Sequence, residues 1–169
     1  MRAAGVILAV ALSLALQTTL ARFLVRSTIT IDLVLVAVVY VALTSGPVTG
    51  MLCGTFAGLV QDALSSGVIG IGSLSKTVVG FLAGIIGTQF IVANSIPRFV
   101  VFFSATALHA LLFMGMYTLL DIRHFGRPYT AVGWQALANA FVGVIAFQLV
   151  ELLPGAVERR RAAKGRLRR

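Results

Sequence analysis

Few residues in this chain could do chemistry, and the most suggestive group falls in one stretch, GLVQDALSSGVIGIGSLSK, from Gly58 to Lys76. An apolar run ends there on a carboxylate, Asp62, and is followed by a glycine-rich loop and a lysine. A phosphate loop is the first chemistry to test. A Walker loop places its lysine directly after the second glycine, so that the backbone amides and the ammonium share the phosphates. Here Gly72 is followed by Ser73, and Lys76 comes too late. The dinucleotide fingerprint fails as well, because Gly70-Ile71-Gly72-Ser73-Leu74-Ser75 lacks its third glycine. What remains is a loop at a membrane boundary. Gly67, Gly70 and Gly72 permit its tight turns, and Asp62 accepts hydrogen bonds from amides or hydroxyls of Ser65, Ser66 or Gly67. Lys76 is the expected counter-charge for Asp62 across that loop.

Asp62 reads either as the acceptor that fixes this turn or as a functional carboxylate, since ionisable groups within membrane segments are functional candidates by default. Asp32 faces the same choice. It falls in the first turn of an apolar segment, where a negative charge favours the positive end of the helix dipole. If that helix begins outside, Asp32 and Asp62 both lie near the external face and line a shared polar patch. His109 and Asn139 are lone polar residues within apolar runs, and interhelical hydrogen bonding is the expected role of each. Two histidines without clustered cysteine or carboxylate make no metal site, and no Ser-His-Asp arrangement follows from the spacing. The chemistry inventory thus contains no catalytic, cofactor-binding or metal-ligating set, and the chain is expected not to be an enzyme. Most charges fall near segment ends, which argues against coupled ion transport.

The elements that carry these residues are apolar. Of 169 residues, 59% are hydrophobic and 11% charged, and the mean hydropathy is +0.99. A helix needs about 20 mostly apolar residues to cross the roughly 30 Å hydrocarbon layer, so there is room for about six crossings and little else. The expected fold is an all-α membrane protein, a compact bundle of six transmembrane helices over residues 1–155 with a basic tail at 156–169. The net charge of +9 does not point to nucleic acid, because seven of the fourteen basic residues are in that tail, where they suit anionic lipid on the cytoplasmic side. The single cysteine, Cys53, cannot form an intramolecular disulfide.

Cutting at charged and turn-forming residues gives Ala3–Ala21, Ile29–Ser45, Val48–Leu64, Leu74–Ala93, Arg98–Leu120 and Ala131–Leu153. The first is long enough to span and is read as a retained helix rather than a signal peptide. Gly46-Pro47 ends the second, and Pro154-Gly155 is expected to end the sixth. Gly50, Gly54 and Gly58 recur every fourth residue on the third segment, and Gly80 and Gly84 repeat the spacing on the fourth. Such faces let helices approach closely, so the two segments are expected to form a tight antiparallel pair, with docking of another protein's helix as the second reading of the same glycines. An even number of crossings places both termini on one side, and the tail votes for the cytoplasm. Nine basic residues then lie inside against five outside; without the tail the count is two against five, so the orientation rests on the tail.

Asp32-Leu33-Val34-Leu35, Tyr40, Ala42-Leu43, Gly46-Pro47, Gly54, Gly58-Leu59-Val60-Gln61-Asp62 and the Gly67–Gly72 loop together resemble the bacterial rod shape-determining protein MreD family. The match is strongest over about Asp32 to Gly84, and Ile31 stands where the family's proline is expected. The resemblance implies a non-enzymatic inner-membrane subunit of the elongation machinery that inserts side-wall peptidoglycan. It implies MreC as a partner, with MreB and the glycosyltransferase RodA with its transpeptidase as further ones. It also implies a six-helix fold like that of the substrate-binding subunits of energy-coupling-factor vitamin transporters. Such a subunit is the competing function, and its external pocket would draw on Asp32, Asp62 and the Arg123 to Tyr129 loop.

Overall fold

The computed structural model describes residues 3–23, 31–65, 67–89, 94–122 and 129–166. Their regular structure is helical throughout, in six elements: α1 (Ala3–Phe23), α2 (Leu33–Ser45), α3 (Pro47–Leu64), α4 (Ile71–Gln89), α5 (Ser95–Leu119) and α6 (Tyr129–Arg166). Three are long and apolar enough to cross a membrane, Ile71–Gln89, Ser95–Leu119 and Tyr129–Leu152. The exterior is apolar as well: Leu12, Phe56, Leu111 and Phe141 are all exposed. Side chains of this kind over a whole surface suit lipid as the surrounding solvent.

The central element is the short α2. Val34, Val38 and Val41 face Val10 of α1 and Cys53 and Ala57 of α3. Leu35, Val36, Val39 and Ala42 face Val79 and Ala83 of α4, Phe102 and Ala105 of α5 and Ala140 and Phe147 of α6. A helix apolar on all sides belongs in the middle of a bundle, and α2 touches each of the other five. Its last turn meets α3 through one residue. Gly46 adopts φ +89°, a left-handed conformation that disfavours any side chain, its amide donates to Ala42 O at 2.9 Å, and Pro47 then starts α3 at the first helical position.

α3 and α4 form the most extensive pair. A Cβ on Gly50 would overlap the carbonyl of Gly80, one on Gly54 the carbonyl of Lys76, one on Gly58 the Cα of Ser73, and one on Gly84 the Cα of Pro47. The pairings run in opposite directions along the two chains, so the helices are antiparallel and in backbone contact. The expected tight pair is therefore present, and its glycines face a helix of the same chain rather than a free surface. At the far end α5 and α6 are joined by Arg98, whose guanidinium donates twice to Glu151, at 2.7 and 2.9 Å, and stacks 3.9 Å above the Phe147 ring.

Several boundaries differ from the sequence reading. Asp32 precedes α2 as its N-cap instead of lying within the first turn. α4 starts three residues earlier than expected, at Ile71, and Phe90 to Ala93 lie outside the described residues. Pro154-Gly155 does not end α6, which runs on to Arg166 through the basic segment. Membrane helices tolerate proline where neighbouring helices, hydroxyl side chains or local adjustments of the backbone satisfy the freed groups.

Candidate functional site

The N-terminus of α2 would leave up to four amides without intrahelical partners, a serious cost away from water. Three chain segments meet this need. Asp32 Oδ1 accepts from Leu35 N at 2.9 Å, within its own cap. Gln17 of α1 accepts from Leu33 N at 2.8 Å and donates to Ile31 O at 2.9 Å. Asn139 of α6 accepts from Asp32 N at 3.0 Å and donates to Thr106 of α5 at 3.3 Å. The expected interhelical bond of Asn139 is thus a cap for the central helix.

The other oxygen of Asp32 points toward α4 and α5. Lys76 Nζ lies 3.0 Å from Asp32 Oδ2, and both side chains are buried. Lys76 Nζ is also 3.5 Å from His109 Nε2, which is 3.8 Å from the same carboxylate oxygen. Lys76 therefore pairs with Asp32, not with Asp62 as the sequence suggested. The reason is helical geometry: Lys76 is on the second turn of α4, past the loop, where it faces α2 and α5. Asp32, Lys76 and Arg98 all lie at or within the first two turns of their helices, near segment ends, yet all three are buried.

Asp62 has a different task. Its Oδ2 accepts from the amides of Gly70 at 2.9 Å and Ser73 at 3.0 Å, capping the start of α4 from the end of α3. A carboxylate there also faces the positive end of the α4 dipole. The amides it takes lie farther along the loop than the expected Ser65 and Gly67; Ser65 N instead donates to the backbone oxygen of Asp62, and Ser66 lies outside the described residues. Gly70 has φ +107°, and a Cβ on Gly72 would overlap the Asp62 carboxylate, so these two glycines let the loop close on it. Gly67 approaches the Tyr117 hydroxyl, which accepts from Val68 N at 3.2 Å.

Asp32, Asp62, Lys76 and His109 line one cavity of about 260 Å³. Gln61 and Gln135 add amides, Phe113, Met114 and Tyr117 of α5 supply an apolar wall, and Ser65, Gly67 and Val68 form the loop beside it. The sequence singled out both aspartates and the loop glycines of this cavity. It missed Lys76 as the partner of Asp32, named Gln61 only within the family motif, and missed Gln17 and Tyr117 altogether; a lone amide in an apolar run, as at Gln17, was the available signal. The Arg123 to Arg127 part of the proposed polar loop lies outside the described residues. Among the described residues no group of three or more His, Cys, Asp or Glu could hold a metal ion.

A helical bundle with an apolar exterior, glycine-tight packing and polar groups given over to capping and charge pairing is a membrane protein by construction. Its lineage is narrower: the chain belongs to the family of the rod shape-determining protein MreD, whose model matches residues 2–154, nearly its whole length. The likeness thus extends well beyond the 32–84 stretch that carries its clearest sequence signals. No curated protein and no solved structure matches the chain.

Proposed function

We propose that this rod shape-determining membrane protein is a non-enzymatic scaffold of the elongation machinery, crossing the bacterial inner membrane six times and docking the single membrane helix of MreC. The observation that favours this reading is an apolar groove of about 630 Å³ along α5 and α6, lined by residues such as Ala107, Leu111, Gly115, Gly133 and Ala136. Unlike the α3 and α4 glycines, Gly115 and Gly133 meet nothing: a Cβ on either would have no neighbour within 4 Å. Helices associate in lipid through close packing at small residues, and this face offers such packing to an outside helix. MreB, RodA and its transpeptidase would be engaged by the loops or the basic tail, which also suits anionic lipid. With the tail and both termini in the cytoplasm, the cavity end of the bundle faces outward.

Depletion from a rod-shaped host should give rounded cells, and MreC should co-purify with the protein in mild detergent. Normal rods after depletion, with MreC absent from the purified material, would refute the scaffold. The competing function, a vitamin-binding subunit with an energy-coupling-factor fold, draws on the polar cavity; it predicts normal rods with a vitamin growth requirement. A reporter fused at Arg169 reads the orientation, cytoplasmic if the topology is right.

A further inference from the structure

The cavity lined by Asp32, Asp62, Lys76 and His109 carries more negative charge than positive among its described residues. Asp32 is answered by Lys76 at 3.0 Å, which uses the one lysine or arginine in that wall. The same ammonium can only donate, so its 3.5 Å contact with His109 Nε2 is made to a neutral ring. Asp62 has no cation. Both hydrogen bonds that reach its carboxylate, from the amides of Gly70 and Ser73, end on Oδ2. Oδ1 accepts none from a described residue. Nor is it sealed in, since the enclosed side-chain atoms without a partner are Ser45 Oγ, Gln61 Oε1 and His109 Nδ1. The residue as a whole is only 8% exposed, so this oxygen is a nearly buried acceptor on the wall of a cavity.

The start of α4 answers part of the Asp62 charge, the equivalent of roughly half a unit at a helix N-terminus. The remainder favours a positive guest, because a charge removed from water is stabilised chiefly by pairing. An anion would meet two carboxylates, and a neutral guest would leave the excess in place. A bare metal ion such as calcium asks for about six oxygens. The described residues hold no group of three or more acidic, histidine or cysteine side chains to begin such a shell. An organic ammonium asks for less. Beside Asp62 the cavity is walled by Phe113 and Tyr117, whose ring centroids are 4.8 Å apart, and aromatic rings attract cations. Ser65 and Gln135 add a hydroxyl and an amide, further acceptors for a group with three donors. A volume of about 260 Å³ lies just under the roughly 300–1,000 Å³ range of small-molecule sites, which sets a small ligand.

We propose that this cavity binds a small primary ammonium, its charge on Asp62 Oδ1 and its carbon chain against Phe113. The site is independent of helix docking on the α5–α6 groove, because its test needs only the purified chain. A soluble amine and the headgroup of phosphatidylethanolamine carry the same group, so ethanolamine, charged at neutral pH, is the probe for both. Ethylene glycol and glycolate are neutral and anionic compounds of like size, and sodium chloride controls for ionic strength. Full-length protein in detergent is titrated with each while the thermal midpoint is followed, since a ligand of the folded state raises it with concentration. Ethanolamine should raise the midpoint in a saturable way that none of the three controls reproduces. Asp62→Asn, which keeps an acceptor for the α4 amides, should weaken binding about tenfold or more, as expected for loss of a charge-assisted bond. Phe113→Leu should weaken it roughly threefold, through loss of the aromatic wall.

A second readout requires no variant. In protein carrying ¹³C-methyl methionine, ethanolamine should move the resonance of Met114, which lines the cavity, and leave that of Met51 on α3 in place. In nanodiscs, added phosphatidylethanolamine should weaken the apparent affinity for ethanolamine if the lipid headgroup is the occupant; an unchanged affinity assigns the site to a soluble amine. Absence of a saturable midpoint or Met114 change with ethanolamine would overturn the site, as would an equal effect of ethylene glycol or sodium chloride. Unchanged affinity in a folded Asp62→Asn protein would do so too.

Discussion

The α3–α4 seam and the α5–α6 pair use the same small residues to opposite ends. In α3 and α4 the glycines meet backbone of the same chain, so the helices close on each other and nothing else can enter. In α5 and α6 one glycine, Gly143, is covered by the Phe102 ring, and Arg98 bridges to Glu151 nearby, while Gly115 and Gly133 toward the other end stay uncovered. Glycine spacing alone therefore does not mark a partner site. A regular four-residue ladder matched by a neighbour is an internal seam, whereas two isolated glycines on adjacent helices leave a face unfilled.

The largest effect should come from forcing a side chain into the closed seam. Gly54→Leu would drive its side chain into the backbone of Lys76, at about 3 kcal/mol or more, since neither helix can shift without opening the pair. Gly133→Leu fills open space and should leave the unfolding midpoint unchanged or slightly raised. Thermal unfolding in detergent compares the two; equal losses would erase the distinction between the regions.

The charge cluster sharpens the same contrast, because it ties α2 to the closed half. Lys76→Met leaves the Asp32 carboxylate buried without its cation, a loss of about 3–5 kcal/mol by analogy with other broken buried pairs. Adding Asp32→Asn to that variant should recover much of the loss, since a neutral amide no longer needs the ammonium and still offers an oxygen to Leu35 N. A double variant no better than Lys76→Met would show that the cost is steric rather than electrostatic.

Asp62→Asn keeps one acceptor for the α4 amides but loses the charge, so its cost should be at the low end of about 1–3 kcal/mol, with faster hydrogen exchange at Gly70 and Ser73 as the local signature. The smallest effect is expected in the open half. Glu151→Gln should cost less than about 1 kcal/mol, because the Glu151 side chain is 52% exposed and Arg98 keeps its position over Phe147.

Much of this architecture was legible in the sequence for physical reasons. Hydropathy marks each helix, the four-residue glycine ladder marks the α3–α4 contact, and Gly46-Pro47 and the Gly67–Gly72 loop mark the turns beside it. The site was legible only in part. Asp62 caps a helix beyond its own loop neighbours, and Asp32 finds its lysine on a different helix; both depend on how helix ends are brought together, which local spacing does not encode. Gln17 and Asn139 are single amides whose shared purpose, capping α2, appears only when three helices meet. The open groove was invisible for the converse reason: Gly115 and Gly133 have no periodic companion, and their significance is the lack of a neighbour. That groove and the polar cavity share Ala110 and Met114 of α5 as a common wall.

On the proposed function, the open face of α5 and α6 receives a partner's membrane helix. The most direct test is the amount of MreC retained when Gly133→Leu protein is isolated from the membranes of a rod-shaped host, at a protein level matched to the unaltered chain. MreC should be lost while the bundle stays folded; full retention of MreC on the filled groove would refute docking at this face.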